Sequence, residues 1–319
     1  LKKGVINMNK FKKIGLTALA ASLVSVSAQA GAISVSGGAS LSAEGFSGEE
    51  LNAGSTFSMG NQLTFSGSGE LDNGLTVAVS FVMDQGDAAP APFDSHSLKI
   101  SSDALGTLTF NGEGGTTTAN NMDSTAAGDI WDKFDGLANA DGQTGLTATA
   151  GDNSFFYSSP ELMDGLTLQA NYMPQGSSNR ESGTGLGLTY TGVEGLTLAY
   201  AKADIVGATT AASGDETAYE ASYAIGSFTL SYSNMEGDID TASSDLEVDS
   251  MAVSYTVSDE ISVTYGVETH QISGATADAE YASLSGSYTS GGMTVSAGYH
   301  HAENASFTTA SNEDYEKWT

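Results

Sequence analysis

The sequence predicts an all-β fold: a transmembrane antiparallel β-barrel of about 16 strands, the last of them truncated. Three observations carry that expectation. First, apolar residues alternate with small or polar ones through almost the whole chain after residue 31, as in Leu75-Thr-Val77-Ala-Val79-Ser-Phe81 and Ile261-Ser-Val263-Thr-Tyr265-Gly-Val267. Side chains along a strand point to opposite faces in turn, so each segment has one apolar face and one small or polar face. A soluble sandwich needs bulky residues on its packed inner faces, whereas here a single greasy face must meet something other than the protein itself. Second, the connections between strands are alternately short and long. Third, Tyr172, Tyr190, Tyr200, Tyr223, Tyr232, Tyr255, Tyr265, Tyr288 and Tyr299 mostly fall toward strand ends in register with the apolar face. There a ring lies among lipid carbons while its hydroxyl reaches the headgroups.

Ahead of the strands, Met8-Asn-Lys10-Phe-Lys12-Lys13 is a positive start, Ile14 to Val26 a short apolar run and Ala28-Gln29-Ala30 a cleavage site. Residues 1–30 therefore read as a few upstream residues plus a cleaved signal peptide starting at Met8, and 31–319 as the barrel. Five of the ten Lys and Arg residues precede residue 31 and no acidic residue does, so the remainder sets five basic groups against 39 acidic ones, a formal charge of −34. Such a field excludes nucleic acid as a partner and attracts cations. There is no cysteine, so disulfides do not hold the fold together. No run of ~18 apolar residues is available for a membrane helix after residue 31.

Strand candidates fall at 32–45, 59–72, 74–84, 95–102, 106–111, 153–158, 165–174 and 183–191. The second half continues with 195–203, 216–225, 226–235, 246–257, 260–270, 279–289, 292–302 and a last strand starting near 313. Connections after even-numbered strands are short, such as Leu71-Asp72-Asn73-Gly74, Ser258-Asp259 and Ser290-Gly291-Gly292, with residues that tolerate positive φ in tight hairpins. Those after odd-numbered strands are long and rich in Asp, Ala, Ser and Gly: 46–58, 85–94, 112–152, 175–182, 204–215, 236–245, 271–278 and 303–312. Short turns at one rim and long loops at the other are the pattern of an outer-membrane barrel with an apolar exterior and a polar lumen.

The run Asp152-Asn153-Ser154-Phe155-Phe156-Tyr157-Ser158-Ser159-Pro160-Glu161, followed by Gly165-Leu166, resembles the N-S-x-x-Y-x-S-P-E…G-L signature of Gram-negative general porins. The hairpin segment Leu98 to Phe110 and the Asn73-Gly74-Leu75 turn are similar to theirs too, and the resemblance spans 8–319, closest to porins of alphaproteobacterial type. It implies a homotrimer of water-filled barrels in the outer membrane, in contact with lipopolysaccharide. These barrels pass small hydrophilic solutes, with the third loop folded inward as a constriction and the loop at 85–94 as an inter-subunit contact.

Loop 112–152 is by far the longest, and a long loop without structure of its own is usually functional. It carries Glu113, Asp123, Asp129, Asp132, Asp135 and Asp141, opposed only by Lys133. Inside a lumen these carboxylates form a negative ring that favours cations; on a surface they are one more acidic loop. Ile130-Trp131 and Phe134 argue for docking, since a solvated loop has little use for them. General porins face this loop with an arginine cluster, but the only arginine after residue 31 is Arg180, in a loop. Alternation points Lys99 inward as the best remaining basic wall residue, together with Glu70, Glu220, Glu268 and Phe156. The expected channel is cation-preferring.

No catalytic constellation is present and no enzyme is expected: His96, His270, His300 and His301 have no metal-motif partner. No cofactor is expected. Glu236, Asp238 and Asp240 offer oxygen ligands to Ca²⁺ or Mg²⁺ but lack the rest of a calcium loop. Such ions are expected at most to bridge the acidic loops to lipopolysaccharide. The Gly183-Thr-Gly185-Leu-Gly187 stretch marks bends or places where side chains must be small. The alternative reading is a secreted acidic surface protein of adhesin type without pore activity, which predicts a short fixed repeat that the sequence lacks. The chain stops at Trp318-Thr319, early in strand sixteen, so strands one and fifteen are expected to keep unpaired edges.

Overall fold

A computed structural model describes residues 33–48, 55–84, 93–122, 124–134, 153–174, 182–206, 213–240, 245–291, 293–309 and 314–319. The strands run β1 (Ser34–Gly48), β2 (Ser55–Glu70), β3 (Thr76–Asp84), β4 (Ser95–Ser102), β5 (Gly106–Glu113), β6 (Ser154–Ser158), β7 (Leu166–Met173) and β8 (Gly183–Val193). They continue as β9 (Leu196–Ile205), β10 (Gly214–Ile225), β11 (Phe228–Ile239), β12 (Leu246–Ser258), β13 (Ile261–Ile272), β14 (Ala279–Ser290), β15 (Met293–Glu303) and β16 (Tyr315–Trp318). Each pairs antiparallel with its sequence neighbours, and β16 returns to β1, so the sheet is a closed barrel of 16 strands. Closure joins the first strand to the last, and a lipid environment penalises backbone groups left unpaired along a sheet edge.

Turn chemistry sets the short connections. In the β2–β3 turn Gly74 takes φ +81° and the Asn73 side chain accepts a hydrogen bond from the Leu75 N–H at 3.1 Å. A residue with a Cβ resists that φ, whereas Gly adopts it without penalty. The strands outrun their expected ends mainly at the loop side: β11 extends to Ile239 and β15 to Glu303.

One face of the sheet carries the exposed apolar residues, such as Leu186 (62% exposed), Leu230 (50%), Met251 (58%) and Tyr265 (52%). That face is the barrel exterior. A row of Tyr190, Tyr223, Tyr255 and Tyr288 lies near the short-turn rim, and Tyr172, Tyr200, Tyr232, Tyr265 and Tyr299 lie further toward the loops. All 13 tyrosines follow residue 156. Strands β1–β5 have none, and their outward positions are Val, Leu, Ile, Phe, Met and small residues except for Asn61, His96 and Glu113.

Strand β16 is four residues long and pairs on both sides, Gly45↔Trp318 through Gly48↔Tyr315 and Tyr299↔Trp318 through Ala302↔Tyr315. Thr319 adds a reciprocal backbone pair with Gly298 at 3.0 and 3.1 Å. The sheet therefore closes over its loop-side portion. The stretches Ser34–Glu44 of β1 and Met293–Ala297 of β15 lie beyond the register of β16.

Candidate functional site

Inside the barrel, the described part of the β5–β6 loop (114–122 and 124–134) runs along the inner wall from β7 to β16. The Thr118 N–H donates to Asn171 Oδ1 on β7 at 2.8 Å and the Thr118 hydroxyl to the Lys202 carbonyl on β9 at 3.2 Å. Further on, the N–H groups of Ala126 and Ala127 donate to Ser233 Oγ on β11 (2.8 Å) and Ser250 Oγ on β12 (2.9 Å). The next anchor is Glu268 on β13. Its fully buried carboxylate accepts the Ile130 N–H at 2.9 Å, the Trp131 N–H at 3.1 Å and the Thr125 hydroxyl. Each polar group on the wall thus satisfies a loop donor that burial otherwise leaves without water.

Two apolar anchors add to these bonds. Ala119 and Met122 pack on Ala201, Ala203, Ala218, Met235 and Val248. Ile130 and Phe134 pack with Tyr281, Ala302, Phe307 and Tyr315. Ile130 is 2% and Phe134 1% exposed, and burying such side chains contributes about 1.5–3 kcal/mol each. Space for the loop comes from small residues on the wall beneath it. A Cβ at Gly185 stands 2.5 Å from Thr118 Oγ1, and one at Gly266 stands 2.5 Å from Ala127 Cβ. The glycine run 183–187 is therefore in part a recess for the loop.

Directly opposed residues of a ladder share a face, so the loop contacts fix which side chains look inward. Lys99 pairs with Thr109, Thr109 with Phe156, and Phe156 with Asn171, which the loop touches. Glu220 pairs with Ser233 and Ser250 with Glu268, again beneath the loop. Glu70 lies at the end of β2 on the inward parity of Ser66 and Ser68.

A family model, that of the Gram-negative porins, matches residues 15–319. The chain belongs to the Gram-negative porin family. Solved structures of similar fold include a loop-deletion form of OmpT from Vibrio cholerae (17% identity, TM-score 0.64, covering 90% of this chain and 97% of that one). A mutant porin of Rh. blastica gives 16% identity and TM-score 0.63 over 90% and 98% of the two chains. An anion-selective porin from Comamonas acidovorans gives 14% and 0.59 over 88% and 98%. No curated protein sequence matches the chain closely enough to count as a relative. This porin is accordingly a transmembrane β-barrel of the Gram-negative outer membrane, and a closed barrel with an apolar exterior does not favour the secreted adhesin reading.

Not every expected site residue faces the porin's lumen. Glu113 is turned outward, because a bulge between His96 and Ser97 in the β4–β5 register leaves Gly112 unpaired and reverses the alternation. Its carboxylate lies 3.6 Å from His96 Nδ1, on the face that carries Leu98 and Ile100. Asp129, at φ +54°, braces its own turn by accepting from the Thr125 N–H (2.9 Å) and the Ser124 hydroxyl (3.1 Å). Asp132 is exposed at the start of the turn Trp131–Phe134. Asp123, Asp135, Asp141 and Arg180 lie outside the described residues.

Glu236 and Asp238 belong to strand β11 rather than to a loop. With Asp240 they stand two residues apart along an extended chain, about 6.6 Å per step, too far to converge on one ion. Among the described residues no group of three or more His, Cys, Asp or Glu side chains is placed to hold a metal.

Four inward charged residues were missed by sequence reasoning: Glu44, Asp84, Glu216 and Lys317. Lys317 is 6% exposed and its Nζ lies 3.2 Å from Glu44. Lys202 faces outward, 3.1 Å from Asp215. His270, fully buried, stands 3.6 Å from Glu268 and packs its ring against Trp131 of the loop, and His300 bonds Ser283 at 2.9 Å.

Proposed function

We propose that this porin forms a water-filled channel that passes small hydrophilic solutes and ions, prefers cations and works as a homotrimer. The observation that carries the selectivity is the charge left on the inner surface. Of the inward cations among the described residues, Lys317 is buried and paired, which leaves Lys99 on the wall and Lys133 on the loop. Against them stand Glu70, Glu220, Asp129 and Asp132, none of them buried. A constriction with this balance attracts cations. The fold does not decide the sign, since an anion-selective porin shares it.

The trimer reading is supported by the exterior of β1–β5. Tyr and Trp prefer the lipid interface, yet these five strands have neither. Phe81 instead packs at a tilt against Phe93 (ring centres 5.4 Å apart) and stacks with His96 (6.4 Å). An apolar face without an aromatic girdle suits another protomer better than a bilayer. Export by the 1–30 segment and divalent-cation bridging from the outward carboxylates Glu236, Glu247 and Asp249 to lipopolysaccharide complete the reading.

The test is the reversal potential of the reconstituted channel in a potassium chloride gradient. A potential favouring potassium is expected. One favouring chloride overturns the selectivity, and a folded barrel without conductance overturns the pore.

A further inference from the structure

The four residues of β16 hold more than the barrel seam. Lys317 Nζ donates to the Lys133 carbonyl at 2.7 Å, lies 3.2 Å from Glu44 Oε2 and stands 4.8 Å from the centre of the Phe46 ring. One ammonium therefore joins β16, β1 and the last described turn of the inward loop. The Lys133 carbonyl belongs to the 3₁₀ turn Trp131–Phe134, and the last carbonyls of such a turn have no partner within it. An ammonium there makes a charge-assisted bond, stronger than a neutral one. Burying that ammonium requires a counter-charge, which Glu44 supplies, and Phe46 adds a cation–π contact. Two residues earlier on the same face, Tyr315 is 1% exposed and shares a buried cluster with Ile130 and Phe134.

We propose that Lys317 is a positioning residue of the channel. Strand β16 latches the constriction loop and closes the barrel with the same inward side chains, Tyr315 and Lys317, so loop position and barrel closure are energetically coupled. The proposal rests on the pore reading above but adds to it where the aperture is set. Coupling between two such equilibria is reciprocal: releasing the loop loosens β16, and weakening Lys317 frees the loop.

The experiment uses the full chain refolded into bilayers, with Lys317→Met, Lys317→Arg, Phe134→Ala and Met122→Ala. Loss of a charged hydrogen bond shifts the docked-to-released ratio of the loop end by about 10-fold or more. Folded Lys317→Met barrels should show altered unit conductance and added open-channel noise, and Lys317→Arg should restore both. A role confined to barrel stability moves the unfolding temperature and leaves the current of folded channels unchanged, and that result overturns the proposal. The reverse direction is read by amide hydrogen exchange. Phe134→Ala should speed exchange at Tyr315–Trp318 and not in β9, whereas Met122→Ala, in the loop's other anchor, should do the opposite. Unchanged exchange of β16 in Phe134→Ala overturns the coupling even where Lys317→Met fails to fold. A parent barrel that carries no current defeats the pore reading, and the exchange pair still decides the latch.

Discussion

Replacing Glu268 by Gln removes one negative charge from beneath the loop without changing the shape of the side chain. Three donors converge on this carboxylate: the N–H groups of Ile130 (2.9 Å) and Trp131 (3.1 Å) and the hydroxyl of Thr125. All three are donors, so a carboxylate satisfies them and a primary amide does not. The amide oxygen of Gln takes the Oε1 partners, Thr125 and Ile130, while its NH₂ faces the Trp131 N–H. One buried donor is left unpaired, which costs about 1–3 kcal/mol. That corresponds to a roughly 5- to 150-fold shift of the loop toward release. Single-channel recording reads the shift as larger conductance fluctuations, and Trp131 emission in a Trp318→Phe background reads it as a more hydrated indole. Glu268→Ala, which strands every donor, should do both more strongly. A Glu268→Gln channel with the conductance, noise and Trp131 emission of the parent refutes the assignment of Glu268 as the central tether.

Gly266→Val should also displace the loop, because its Cβ meets Ala127 Cβ at 2.5 Å and Ile130 Cδ1 at 3.6 Å. Overpacking of this kind costs about 1–3 kcal/mol, and a conductance equal to the parent's would show that the loop does not rest on β13. Lys99→Glu should move the reversal potential further toward potassium; each unit charge is worth about 0.6 kcal/mol at ~7 Å in water before screening. An unchanged potential would place Lys99 off the conducting path. On the exterior, Leu63→Gln on β2 should dissociate trimers into folded monomers on a semi-native gel, since it forfeits about 1.5–3 kcal/mol of burial per protomer. Leu284→Gln on β14 should leave the trimer intact, and equal behaviour of the two would argue against a β1–β5 interface.

How much of this was legible in the sequence follows from the range of the forces involved. Strand order and inward parity are local: alternation gives the face, and turn residues such as Asn73-Gly74 give the hairpin, so the 16-strand circuit could be read off directly. Where the chain departs from regular alternation by one residue, the reading fails. The bulge at Gly112 sends Glu113 outward, and its only sign is a glycine next to the expected strand end. The loop's anchors are a different case. Thr125 meets Glu268 across 143 residues and Lys133 meets Lys317 across 184, and no periodicity encodes such a pairing. Parity placed Glu268 inward but left it a free lumen charge; the loop turns it into a buried acceptor. The same holds for Lys317, which the tally of bases counted without a position. The consequence for selectivity is that charge counts overstate the basic and acidic groups that ions meet, because docking withdraws Glu268 and Lys317 together. What remains to set the sign is a short set of accessible groups, with Lys99 the one wall cation among the described residues left to oppose Glu70 and Glu220.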